Sequence, residues 1–149
     1  MYENYSRQAL PSKKYRELLG SAICVFNSNN SFIIENILAN DELNEYNWHE
    51  LIDCTSGELS RPLKRTITKN SNTNITKKFE ELFQMRNRIV HSFQVTAPAD
   101  SGLSDDVDNQ ILATKYKNGE QEYITINFLY QFIKKNEELS NELHKFRGY

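Results

Sequence analysis

Apolar residues return at helical spacing along most of this chain. Between Ser12 and Asn40, the residues Tyr15, Leu19, Ala22, Ile23, Phe26, Ile33 and Ile37 recur every three or four positions, or two turns apart, and predict one long amphipathic helix. Gly20 weakens that helix by about 1 kcal/mol relative to alanine, but apolar turns continue beyond it. Leu43, Tyr46 and Leu51 predict a shorter helix over Glu42–Asp53. Thr55-Ser56-Gly57-Glu58 has the form of a capping box, and Pro62 restricts the next segment to a short or kinked helix. After a polar break at Asn70–Asn74, a stripe of Phe79, Leu82, Phe83, Ile89, Val90 and Phe93 predicts a helix from Ile75 to Gln94.

The period then changes. Pro98–Asp108, rich in Ala, Ser, Gly and Asp, reads as a loop. Beyond it the β-prone runs Ile111–Lys117 and Glu120–Ile126 flank Asn118-Gly119, a strong local signal for a hairpin. Phe128, Phe132, Leu139, Leu143 and Phe146 place a last helix over Asn127–Phe146, stopped near Gly148. The expected fold is mainly α: a single domain over 1–149, an antiparallel bundle of four to five helices with one small β-hairpin before the last.

Composition narrows this to a soluble globular domain, because 38% hydrophobic and 26% charged residues leave no apolar run near the roughly 20 a membrane helix needs. The segment Met1–Arg7 lacks the apolar stretch of a signal peptide, so a cytoplasmic location without membrane attachment is expected. Cys24 and Cys54 have no CxxC partner and read as small core residues in a reducing compartment. The net charge of −2 argues against strong nucleic-acid binding, but its distribution points the other way. From Arg61 to His91 eight basic residues face only Glu80 and Glu81, a net +6 that leaves −8 for the rest. A phosphate-bearing partner would dock on that segment.

Within it, Arg86-Asn87-Arg88-Ile89-Val90-His91 carries the chemistry. At about 100° per residue, Asn87 and His91 share a face, with Gln84 and Gln94 nearby. Arg86 falls near the centre of the apolar stripe, about 140° from His91. A guanidinium there stays protonated and must be paired or led to solvent. Asn30 lies at the centre of the first helix's stripe, and two polar residues so placed are expected to meet, with Asn30 orienting Arg86 from behind. A histidine transfers protons near neutral pH, and an arginine stabilises the extra charge of a phosphorane-like transition state. RNA supplies its own nucleophile, the 2′-hydroxyl, so this pair suffices for strand cleavage with no metal or cofactor. Asp105, Asp106 and Asp108 lack the spacing of a calcium loop and read as a solvated loop. His49 reads as an edge residue, and His144, beside Lys145 and Arg147, as charge suited to a helix C-terminus.

Arg86-Asn87-x-x-x-His91, late on an amphipathic helix in an all-helical domain of this size, resembles the HEPN (higher eukaryotes and prokaryotes nucleotide-binding) domain with its Arg-x(4–6)-His motif. The resemblance implies a helical bundle, a homodimer that brings two motifs together, and metal-independent endoribonuclease activity. It also implies a toxin–antitoxin or antiviral defence setting, with an antitoxin or other regulatory protein as partner. Carried onto these positions, Arg86 and His91 are catalytic and Asn87 positions one of them or the phosphate. Lys64, Arg65, Lys77, Lys78 and Arg88 are then candidate RNA contacts. The alternative is a non-catalytic RNA-binding or adaptor module of the same fold. One subset of the family has a tyrosine two residues after the motif histidine. Phe93 stands there, so regulation by tyrosine modification is not expected.

Overall fold

Phe26, Phe79 and Phe132 form the centre of the molecule. The Phe26 ring stacks on Phe79 at 6.1 Å and on Phe132 at 6.0 Å between centroids. This joins three helices of the computed structural model, which describes residues 1–71 and 74–148. They are α1 (Lys13–Ala39), α4 (Ile75–Val90) and α5 (Ile126–Arg147). Two short helices, α2 (Trp48–Asp53) and α3 (Ser60–Arg65), lie between α1 and α4, separated by the 3₁₀ turn Gly57–Leu59. A three-stranded antiparallel sheet, β1 (Phe93–Thr96), β2 (Gln110–Lys115) and β3 (Gln121–Ile124), occupies the stretch between α4 and α5 with β2 central. No helix among the described residues is long and apolar enough to cross a membrane.

The caps explain where the long helices start and stop. Ser12 Oγ accepts from the Tyr15 N–H at 3.1 Å and donates to Asp105 Oδ1 at 2.8 Å, which ties the start of α1 to the long loop. Thr125 Oγ1 accepts from the Phe128 N–H at the start of α5, and Gly148 ends that helix at φ +86°, a left-handed conformation that glycine adopts without strain. Tyr15 is fully buried and clasps α1 to the sheet: its hydroxyl donates to the Ile124 carbonyl at 2.5 Å and accepts from the Leu112 N–H at 3.4 Å.

Burial pushes the Tyr15 phenol up from its ordinary value to about 12, against the smaller opposing pull of the Leu112 hydrogen bond. Its folded pKa therefore lies above its unfolded one. The stabilisation is fully present below about pH 10 and is lost as pH rises toward about 12. Thermal melts from pH 9 to 12 should show a steeper loss for the native chain than for Tyr15→Phe; parallel curves would contradict this.

Several boundaries differ from expectation. The second helix starts at Trp48, not Glu42, because both Asp41 carboxylate oxygens accept backbone N–H groups, from Glu45 at 3.0 Å and Tyr46 at 2.8 Å. Asn44 is left-handed there, and Leu43 is exposed with no packing to reward a helix. Helix α4 ends at Val90, so Phe93 and Gln94 belong to a strand. Ser92 Oγ donates to the Ile89 carbonyl at 2.6 Å, and Phe93–Thr96 pair with Gln110–Ala113. The expected hairpin is β2–β3, extended by β1 into a sheet. Its turn has three residues rather than two: the Gly119 N–H bonds the Tyr116 carbonyl at 3.0 Å, and Gly119 alone has positive φ. Of the capping box, Thr55 Oγ1 accepts from the Glu58 N–H, heading a 3₁₀ turn and then α3. Within the polar break Asn70–Asn74, positions 72 and 73 lie outside the described residues.

Three further readings are corrected. Cys24 is exposed and Cys54 only half-buried, where both were expected in the core; α1 presents Cys24 on its outer side. Asp106 is buried rather than solvated, since its carboxylate takes the backbone N–H groups of Asp108 and Gln110, each at 3.1 Å. The central buried amide of α1 is Asn29, not Asn30. Asn29 Nδ2 donates to Asn136 Oδ1 at 3.0 Å and to the Asn136 carbonyl at 2.8 Å, and Asn136 Nδ2 donates to the Phe132 carbonyl. Asn29→Leu leaves Asn136 Oδ1 without this donor and is expected to cost about 1–3 kcal/mol in urea unfolding. Asn29→Leu with Asn136→Leu should cost less than the sum of the singles; strict additivity would refute a shared network.

Candidate functional site

The motif sits in the last turn and a half of α4. Arg86 lies on the core side, as the wheel requires. Its guanidinium carbon is 5.3 Å from the centroid of the Phe26 ring, the same ring that stacks on Phe79 and Phe132. The side chain is half-buried. Among the described residues its guanidinium has no carboxylate within ion-pair distance, and its buried Nε has no hydrogen-bond partner. Among the described residues the contact recorded for this guanidinium is the π-face of Phe26, an attraction of about 0.5–2 kcal/mol that does not replace an anion.

Asn30 does not supply the missing contact. One turn after Phe26 on α1, its Oδ1 accepts from Ser56 Oγ at 3.1 Å, and no hydrogen bond joins it to Arg86. The arrangement expected from the two stripes is thus replaced by an amide tied to the loop before the 3₁₀ turn. The physical cause is the register of α1, in which Phe26 takes the place beneath Arg86.

Asn87 is half-buried, and its carbonyl accepts the His91 N–H at 3.0 Å, so the two residues share one turn. His91 caps the C-terminus of α4 with its side chain exposed and, among the described residues, without a side-chain hydrogen bond. Gln94, expected nearby, is carried away by β1, where its Nε2 donates to Ala9 O and to Gln110 Oε1. Arg86 is thus seated on Phe26 on the core side, while His91 lies exposed at the end of the helix.

The basic segment is partly neutralised. Lys64 pairs with Glu80 at 3.4 Å and Arg65 with Glu45 at 3.3 Å, both at the surface. Lys77 is exposed and Lys78 half-buried, without ion pairs among the described residues. Arg88 is held differently: its Nη1 donates to the Lys115 carbonyl at 3.2 Å and its guanidinium lies over the Tyr116 ring at 5.1 Å.

Tyr116 does not stand out in the sequence, although the hairpin register carries the signal. Glu122 pairs with Thr114, so Tyr116 two positions on is its diagonal neighbour. The Tyr116 hydroxyl donates to Glu122 Oε2, and that bond, with burial behind it, holds the phenol above its usual range. His49 stands edge-on to Trp48, and His144 bonds the Ser140 carbonyl through Nδ1 at 2.7 Å while its ring lies 4.8 Å from that of Phe32. No group of three or more His, Cys, Asp or Glu among the described residues is placed to hold a metal ion. Comparison of the chain with family models, curated proteins and solved structures returns no match.

Proposed function

We propose that this protein is a metal-independent endoribonuclease whose active site is completed by two protomers. The observation that carries the reading is Arg86: a half-buried cation with no carboxylate partner among the described residues, held on an aromatic ring one residue before Asn87 and five before an exposed His91. Such a charge is satisfied by a ligand oxyanion, and a phosphodiester supplies one. In the reaction, the 2′-hydroxyl oxygen attacks the adjacent phosphorus, the P–O5′ bond breaks, and a 2′,3′-cyclic phosphate and a 5′-hydroxyl result. His91 takes the 2′-hydroxyl proton and a proton is returned to the leaving 5′ oxygen. Arg86 stabilises the charge that builds on the phosphoryl oxygens, and Asn87 holds the phosphate between them.

The placement of Arg86 on the core side and of His91 at the exposed end of α4 supports the dimer: a two-fold interface along this helix that brings the Arg86 of one protomer to the His91 of the other does so twice. The HEPN-like fold and the setting in toxin–antitoxin or antiviral defence, with a protein that restrains the enzyme, belong to the same reading. Labelled RNA incubated with the protein in EDTA is expected to be cut to products ending in cyclic phosphate. Absence of cutting, or cutting only when a divalent metal is restored, would overturn the proposal. The His91 ring, exposed and without a hydrogen bond among the described residues, favours one second reading, an RNA-binding module without chemistry, which predicts RNA retention and intact RNA in the same assay.

A further inference from the structure

Arg88, three residues before His91 on the same side of α4, opens onto a cleft of about 580 Å³ between the C-terminal half of α4 and the β2–β3 hairpin. Gln84 and Met85 of α4, Tyr116 and Glu122 of the hairpin, and Phe128 of α5 line it. The chemistry of these walls is specific. Tyr116 offers a ring whose orientation is fixed twice, by the Arg88 guanidinium and by the bond from its hydroxyl to Glu122 Oε2. Met85 and Phe128 add apolar surface, both half-buried. Glu122 is exposed and uses Oε2 for Tyr116, and no described hydrogen bond uses Oε1. Lys117, next to Tyr116, also lines the cleft and is exposed.

We infer that this cleft holds one unstacked base of the RNA substrate, next to the phosphate at His91, and that it prefers guanine. The inference rests on the endoribonuclease reading for the position of the phosphate. Single-stranded RNA is recognised by stacking splayed bases on aromatic rings and guanidinium planes and by bonding their edges. A flat apolar wall braced by a cation meets the first need. A carboxylate at the edge meets the second, and it selects for adjacent donors. Guanine presents two, N1–H and N2–H, in the spacing that a carboxylate accepts together. Adenine and cytosine present one amino group beside an acceptor, and uracil one imide N–H between two carbonyls. The basic rim suits the phosphates on either side of the base.

The test uses short RNA fully methylated at the 2′-oxygens, which lacks the attacking hydroxyl, in four versions that differ only in one central base. Fluorescence anisotropy with the full chain should give the guanine version about tenfold tighter binding than the others. Glu122→Gln replaces one acceptor by an amide donor at an exposed position and should erase the preference for guanine. Tyr116→Leu should weaken all four by about tenfold, with circular dichroism confirming the fold. Equal affinity for the four bases, or a guanine preference that survives Glu122→Gln, would overturn the inference. So would free guanosine monophosphate binding as tightly as the oligomer, which would mark a nucleotide site apart from any RNA path. Unmethylated RNA assayed in parallel separates the claims. Cutting without base preference removes the cleft and keeps the nuclease, whereas a Glu122-dependent preference without cutting does the reverse.

Discussion

Arg86→Met is expected to lower RNA cleavage by about 10²–10³-fold, the range seen when one charge-stabilising donor is lost. The same change should leave the melting temperature equal or raise it by about 2–4 °C. The two outcomes follow from one geometry. The side chain is half-buried, its buried Nε has no hydrogen-bond partner, and among the described residues no carboxylate pairs with it, so the unpaired Nε–H weighs against folding. Methionine keeps an unbranched chain over the Phe26 ring, with a favourable sulfur–aromatic contact, and removes the charge. His91→Ala, at an exposed position, should cost about 10²–10⁴-fold in rate with no change in stability. If Arg86→Met cut RNA like the native chain, the site would be wrong. If it unfolded the protein, Arg86 would be a structural ion with a partner.

Phe26 links the core to the site, and its substitution has the largest expected effect on stability. Its ring is buried, stacks on Phe79 and Phe132, and carries Arg86 on top. Phe26→Ala removes this shared ring and should cost about 3–5 kcal/mol in urea unfolding, from a total of about 5–15 kcal/mol for an ordinary domain. Phe26→Leu keeps most of the apolar volume but gives Arg86 no π-face. It should cost only about 1 kcal/mol in stability. Cleavage should nonetheless fall about tenfold to a hundredfold, because the guanidinium is no longer held in one place. Native cleavage rates in Phe26→Leu would show that the seat of Arg86 does not matter to the reaction.

These residues also show what the chain discloses before its structure is known. The long elements are readable because their periodicity is sustained: α1 and α5 begin and end within a residue or two of the apolar pattern, and Asn118-Gly119 marks the hairpin. The position of Arg86 is readable for the same reason, since a residue at the centre of an apolar stripe must face the core. Phe93 misleads because a single apolar residue at the end of a helical stripe fits helical and strand periods alike, and only its pairing with Ala113 decides. Asn30 misleads by a single position. The partner that selects Asn29 is Asn136, on the last helix, and no local pattern announces a contact across that distance. The cleft beside Arg88 is hidden in the sequence because its walls come from α4, the hairpin and α5.

The central claim is that Arg86 and His91 of different protomers make one RNA-cleaving site, and mixing two inactive variants tests it most directly. Arg86→Ala and His91→Ala proteins are each assayed on labelled RNA in EDTA, then combined in equal amounts under conditions that let subunits exchange. A mixed dimer holds one site with both residues intact, so random exchange should restore about a quarter of native activity. An active native protein whose two variants stay inactive when mixed, with exchange confirmed, would place both residues of a site in one protomer and contradict the claim.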